Sequence, residues 1–215
     1  MIGIKQFSFN PFGENTYVVY DDESRETIVV DPGMTSPQEQ QRFDSYISDN
    51  KLKIQQIVNT HLHLDHCFGN NYVRDKYGVK VSAHLADAPL GEHLPQQAQT
   101  FGIVAPDMRP VRIDVPLADG DKVALGKYTL DVIHIPGHSA GSIALYSPDY
   151  NFVLSGDALF RDSIGRTDLP GGNHAQLVES IRKRLLTLPA ATEVHAGHDR
   201  ATTIGAEART NPYLV

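Results

Sequence analysis

A single cysteine, Cys67, stands among 215 residues. That excludes an internal disulfide and fits a reducing compartment. No apolar run approaches the ~20 residues needed to span a bilayer. Residues 1–7 (MIGIKQF) have no basic region ahead of an apolar core, so no signal peptide is visible. Basic side chains are scarce: 19 Lys and Arg against 26 Asp and Glu give a net charge of −7, which argues against a nucleic-acid or anionic-membrane footprint. No tandem repeat, low-complexity run or linker divides the chain. With 40% apolar residues, it can bury a substantial core. These absences describe a cytoplasmic, enzyme-sized chain, one domain over residues 1–215, with a small molecule rather than a nucleic acid or a membrane as its partner.

What is present in abundance is histidine, and it is concentrated. Residues 60–66 read THLHLDH, four potential metal ligands within six residues. Side chains two apart in an extended segment share a face, so His61 and His63 can close on one ion. Asp65 and His66 follow where the chain should turn into a helix, and they can face a second ion. The preceding residues 54–58 read as a short buried strand, which puts the cluster on a loop at a strand end. Three further candidates have the same placement: His138 after strand 128–135, Asp157 after strand 152–154 and His198 after strand 193–196. Each directly follows a glycine, which permits a tight turn that aims the next side chain inward. Seven candidate ligands (His61, His63, Asp65, His66, His138, Asp157 and His198) at four strand ends suit two divalent ions with solvent completing their shells. Zinc is the first choice of metal, and iron and manganese also suit a histidine–carboxylate set.

The rest of the pattern mixes strands and helices. Strands are expected at 2–9, 16–20, 27–30, 54–58, 79–83, 111–115, 122–125, 128–135, 142–146, 152–154 and 193–196. Ser36, Pro37 and Glu39 open a helix with Phe43, Tyr46 and Ile47 on its inward face. A second helix follows the histidine cluster and closes at Gly78, and a short one lies near 84–90. A capping pair, Asn173 and Gln176, precedes an amphipathic run of Leu177, Ile181, Leu185 and Leu188. Residues 91–110, with Gly91, Pro95, Gly102, Pro106 and Pro110, read as a long surface loop of the lid or binding type. Strands predominate, so an α/β domain of two sheets is expected rather than a regular doubly wound one.

Taken together, THxHxDH, PGH at 136–138, SGD at 155–157 and GH at 197–198 resemble the metallo-β-lactamase superfamily. Residues 156–172 (GDALFRDSIGRTDLPGG) and 211–214 (NPYL) resemble type II glyoxalases and their short relatives, and the likeness covers essentially the whole chain. The resemblance implies an αββα sandwich of two mixed sheets flanked by helices, with the metals at one edge between the sheets. It implies His61, His63 and His138 on one ion, Asp65, His66 and His198 on the other, and Asp157 bridging. It further implies a binuclear hydrolase that cleaves a hydroxyacyl-type thioester with a metal-bound hydroxide, which Asp65 helps to orient. Long type II glyoxalases hold glutathione with an additional C-terminal helical region; this chain stops 17 residues after His198, so the expected chemistry is thioester hydrolysis without that region.

Two other functions share these residues. A mononuclear iron persulfide dioxygenase resembles the chain in GRTD at 165–168 and in His198-Asp199, although Arg200 stands where that group has an aromatic. A non-catalytic metal-binding module of the same fold is the other. Among neighbouring residues, Asp31, Thr60 and Ser155 are candidates to orient ligands, and Asp31 equally fits an Asp-Pro-Gly turn. Arg166 and Asp168 read as a structural pair, Cys67 as a small core residue, and His84 as a candidate for the pocket rim.

Overall fold

Alternation of apolar side chains along the strands separates the interior into layers. The computed structural model describes residues 1–103 and 109–215. Its first sheet contains β1 (Ile2–Phe9), β2 (Glu14–Asp21) and β3 (Glu26–Val30). After α1 (Pro37–Asp49) come β4 (Lys53–Val58), α2 (Asn70–Tyr77), β5 (Lys80–His84), α3 (Ala88–Glu92), α4 (Leu94–Thr100) and β6 (Val115–Leu117). The strands lie in sequence order, β1 to β3 antiparallel and β3 to β6 parallel. On β2 and β3, Val18 and Val29 pack outward with Phe43 and Ile47 of α1, Val73 of α2 and Leu94 of α4. Their neighbours Val19, Ile28 and Val30 point the other way, into the space between the sheets. A strand with period-two side chains buried on both faces needs cover on both sides.

The second sheet supplies that cover. It is built from β7 (Lys122–Leu125), β8 (Tyr128–His134), β9 (Ile143–Ser147), β10 (Phe152–Gly156), β13 (Glu193–Ala196) and β14 (Thr202–Thr203). Between β10 and β13 come a small hairpin, β11 (Leu159–Phe160) with β12 (Ser163–Ile164), and α5 (His174–Ser180); α6 (Ile204–Thr210) follows β14. The order is β14-β13-β10-β9-β8-β7, with β10 and β13 parallel and the other pairs antiparallel. Leu130, Val132 and Leu154 face the first sheet, whereas Ile133, Val153 and Val194 face Leu177, Ile181, Leu185 and Ile204 of the outer helices. The result is helices, sheet, sheet, helices: two mixed sheets flanked by helices, as expected. No helix among the described residues is long and apolar enough to cross a membrane.

Local signals placed most elements. The Ser36 hydroxyl accepts from the Glu39 N–H while the Glu39 carboxylate accepts from the Ser36 N–H, a reciprocal cap that contributes about 1 kcal/mol. Two expectations fail. The loop reading of 91–110 gives way to α4 over Leu94–Thr100, because Pro95 sits in the first helical turn and Gly102, at φ 66°, stands just past the end; these residues punctuate a helix instead of preventing one. Pro106 of that reading lies outside the described residues. The strand expected at 111–115 lies instead at Val115–Leu117, since the Val111 N–H donates to the Gly91 carbonyl and its side chain is buried with the helical layer. Short apolar alternation there marks packing rather than pairing. The helix after Asn173 continues as a π-helical turn over Ile181–Leu185.

Candidate metal centre

Four strand ends meet at one edge of the sandwich. The parallel pair β10 and β13 brings Asp157 and His198 side by side. The first sheet contributes the loop after β4, tied across by the Ile143 N–H donating to the Thr60 carbonyl. Two glycines let these segments approach. Gly156 has φ 51°, and a Cβ there would meet the Thr60 hydroxyl at 2.4 Å. Gly197 is required by space alone, because its Cβ would lie 2.2 Å from Asp157 Oδ1 and 2.6 Å from His66 Cε1. Behind the loop, the Asn59 amide donates to the His66 carbonyl and exchanges hydrogen bonds with Asn70.

The structure brings all seven sequence-predicted residues together. His138 Nε2 lies 2.8 Å from His63 Nδ1 and 3.2 Å from His61 Nε2. The His138 Nδ1–H donates to the Arg166 carbonyl at 2.7 Å, which leaves its Nε2 as a lone pair aimed at the other two rings. The second group is Asp65, His66 and His198, with His198 Nε2 3.2 Å from Asp65 Oδ2 and His66 Nε2 3.7 Å from the same oxygen. The His198 Nδ1–H donates to the Phe12 carbonyl at 3.2 Å. Asp157 stands between the groups: Oδ1 is 3.3 Å from His66 Nε2, and Oδ2 is 3.5 Å from His198 Nε2 and 3.7 Å from His138 Nε2.

Donor chemistry and burial both fit divalent cations. The ligand atoms of His61, His63 and His138 lie within 4.8 Å of one another, as do those of Asp65, His66 and His198. Of five buried side-chain polar atoms without a hydrogen-bond partner among the described residues, three belong here: His63 Nε2, His66 Nε2 and Asp157 Oδ1. Unpartnered polar atoms are costly in an interior, and a bound cation would engage all three. Burial, with His66 and His138 beside it, pushes His61 well below its usual value. Burial and His138 take His63 down to about 3. Burial also opposes charge on His66, but Asp157 and Asp65 outweigh it and raise that ring well above 6.5. The same balance, burial against Asp65 and Asp157, raises His198. Burial is outweighed for both carboxylates too: His66, His138 and His198 hold Asp157 low, and His66 and His198 hold Asp65 low. Without metal, one half of the centre thus repels protons and the other collects them.

The surrounding residues divide by what they touch. Asp31, at φ 50°, accepts from the Thr60 N–H at 2.7 Å, from the Thr60 hydroxyl at 2.5 Å and from His66 Nδ1 at 3.1 Å. It falls within ligand distance of His61 and His66, but its oxygens are already engaged, so it is both the turn and the clamp on His66. Asp31→Ala is expected to weaken metal binding by about 10- to 100-fold, measured by competition with a chromogenic chelator. The Ser155 hydroxyl donates to the Leu159 carbonyl at 2.9 Å and so holds the Asp157 turn rather than a ligand ring. Arg166 and Asp168 form a two-pronged pair at 2.8 and 2.7 Å. Cys67 is a buried core residue, its thiol pushed up by burial. His84 stays away from the rim: its ring stacks on His134 at 4.2 Å.

Sequence reasoning missed Asp87. Its buried carboxylate accepts from the Leu62 N–H at 3.1 Å, the Ser139 hydroxyl at 2.7 Å and the Gly141 N–H at 2.6 Å, tying the β4 loop to the His138 loop. Nothing local marks it, because an Asp ahead of Ala-Pro reads as an ordinary helix start. The aromatic walls were missed as well. A pocket of about 300 Å³ opens over Asp65, Asp157 and His198, walled by Phe12, Phe101, Phe160 and Leu169. Among the described residues lining it there is no Ser, Thr or Cys.

A family model described as the metallo-beta-lactamase superfamily matches residues 9–198. The chain is 34% identical over 210 residues to the hydroxyacylglutathione hydrolase GloC of Haemophilus influenzae, covering 94% of this chain and 93% of that one. Among solved structures it resembles the BLEG-1 B3 metallo-beta-lactamase, with a TM-score of 0.87 and 34% identity over 99% of this chain and 100% of that one. It also resembles TTHA1623 in a di-iron-bound form, with a TM-score of 0.86 and 37% identity over 98% of this chain and 100% of that one.

Proposed function

The chain belongs to the metallo-beta-lactamase superfamily, and from that premise we propose that it is a binuclear metallohydrolase that cleaves thioesters of small acyl groups with water as the nucleophile. His61, His63 and His138 would hold one ion, Asp65, His66 and His198 the other, with Asp157 shared. Bound there, the ions would lower the pKa of a water to about 7 and polarise a carbonyl. Zinc or iron suits this donor set; the di-iron form of TTHA1623 favours testing both.

The observation that carries this reading is the pocket wall. The covalent routes to acyl transfer that use a hydroxyl or thiol need a Ser, Thr or Cys beside a base. The described lining offers none, and Cys67 is only 1% exposed. That supports a water oxygen as the attacking group, with the candidate ligands Asp65 and Asp157 engaged by the histidines around them. Asp65, held anionic by His66 and His198, is a poor base at neutral pH; its role is to accept a hydrogen bond from the attacking water and fix its direction. His198 is oriented by its bond to the Phe12 carbonyl, and the three phenyl rings limit solvent around the reacting carbonyl. A thioester suits the site because its carbonyl is electrophilic and its thiolate leaves without needing a proton donor. The 34% identical GloC relative, named as a hydroxyacylglutathione hydrolase, supports the same chemistry.

The test is elemental analysis of the purified chain beside assays with S-lactoylglutathione, other thioesters and a chromogenic β-lactam. Two metals per chain with oxygen-independent release of thiol is the expected result. One iron per chain with oxygen uptake, or β-lactam opening with intact thioesters, overturns the proposal.

A further inference from the structure

The pocket over the metal centre has a neighbour across its wall. On the far side of His63, Phe101 and Leu169 lies a second cavity of about 420 Å³, bounded by α3 and α4 on one side and Leu169 and Pro170 on the other. His63, Phe101 and Leu169 line both, so the two cavities adjoin across one shared wall. No Lys, Arg, Asp or Glu lines the second cavity among the described residues. Its polar members are mostly engaged with the helix backbones. The Gln97 side chain donates to the Leu90 carbonyl at 2.8 Å, the Thr100 hydroxyl to the Gln96 carbonyl at 2.9 Å, and His93 Nδ1 meets the Pro89 carbonyl at 2.7 Å. What they turn toward the cavity is largely hydrocarbon, joined by Pro89, Leu90 and Phe101.

We propose that this groove receives the acyl arm of the substrate and that the arm is apolar and longer than a three-carbon hydroxyacyl group. The inference rests on the thioester-hydrolase reading and narrows it. A thioester bound at the metal centre extends in two directions from its carbonyl. The thiol carriers in biological thioesters are rich in amides and charges, and burying such groups without partners is costly. A groove with no Lys, Arg, Asp or Glu and few free hydrogen-bonding groups among its described residues therefore disfavours the thiol arm and fits an alkyl chain. The thiol arm leaves by the open side of the pocket, where Asp65 and His198 keep 15% and 21% of their side-chain surface exposed.

The experiment uses the metal-loaded full chain and thioesters of one constant thiol, N-acetylcysteamine, with lactoyl, butyryl, hexanoyl and octanoyl groups. KM is expected to fall about threefold to fourfold for each methylene that enters the groove, with kcat nearly constant. Thr100→Trp, which fills the groove from the exposed end of α4, and Pro170→Glu, which puts a carboxylate on the opposite wall, should each flatten that dependence. Independently of turnover, the corresponding S-alkyl thioethers, which cannot be hydrolysed, should bind more tightly with length by calorimetry. Cleavage with a KM indifferent to chain length overturns the groove assignment and leaves the hydrolase reading standing. Length-dependent thioether binding without any thioester cleavage does the reverse. Thioethers that bind without regard to length, or octanoyl dependence untouched in both variants, also overturn the groove.

Discussion

Asp157→Ala is expected to lose thioester turnover by about a thousandfold, the kinetic equivalent of about 4 kcal/mol of metal-derived stabilisation, and to bind metal far more weakly. The reason is its position. One carboxylate faces His66 with Oδ1 and both His198 and His138 with Oδ2, so its single negative charge serves both groups of ligands. Two divalent ions held as proposed would bring four positive charges into a buried centre whose candidate ligands carry only two negative ones, Asp65 and Asp157. Removing one of them leaves like charges facing each other in a low-dielectric interior. The turn itself does not depend on the side chain, since the Gly197 N–H donates to the Gly156 carbonyl and the Ala158 N–H to the Ser155 carbonyl. A loss would therefore be read as lost ligation. Asp157→Asn separates charge from shape: it keeps the volume and should still lose most activity. Metal content by mass spectrometry and kcat/KM on one thioester check both variants, and an alanine variant with two ions and full turnover would defeat the bridging role.

The reason the centre was legible and its surroundings were not is physical. Ligand groups are few in kind, and metal geometry restricts their spacing, so THLHLDH and three Gly-preceded residues at strand ends could be read from the chain. The layers were legible because Val18 against Val19, or Val153 against Leu154, must face opposite sides of a strand. Asp87 had no such signature. Its importance comes from meeting Leu62 and Gly141, 25 and 54 residues away, and only the folded chain creates that meeting. The same holds for Phe12 and Phe101, whose rings lie 6.5 Å apart at the pocket mouth although 89 residues separate them in sequence (101 − 12). The loop reading failed over Leu94–Thr100 for a different reason: Pro and Gly are common both at helix ends and in loops, and α4 is too short for its periodicity to decide between them.

Removing the metals should make the protein markedly less stable, and the deficit should grow with pH. Ions present at about 1,000 times their Kd stabilise the folded state by about 4 kcal/mol, and for a chain of this length each kcal/mol moves Tm by about 2–4 °C, so chelation should lower Tm by about 8–16 °C. The pH dependence follows from the histidines of the metal-free protein. His61 and His63 titrate below 6.5 when folded. From that value downward the unfolded chain binds more protons, and stability is lost as pH falls. His66 and His198 titrate above 6.5 when folded. Their contribution is complete below 6.5 and is lost as pH rises through their folded values, because the folded chain there must release protons the unfolded chain no longer holds. The metal-free protein is therefore expected to be most stable near pH 6.5 as far as these four rings decide it. Divalent ions bound as proposed would replace the protons on His66 and His198, and their affinity would rise as the ligands deprotonate. The interval between the two Tm values should widen from pH 6 to pH 8. Paired melts with and without chelator, repeated with Asp157→Ala, provide the check. An interval that stays constant or narrows over that range would mean that the rings carrying the protons are not the ones that take the metal.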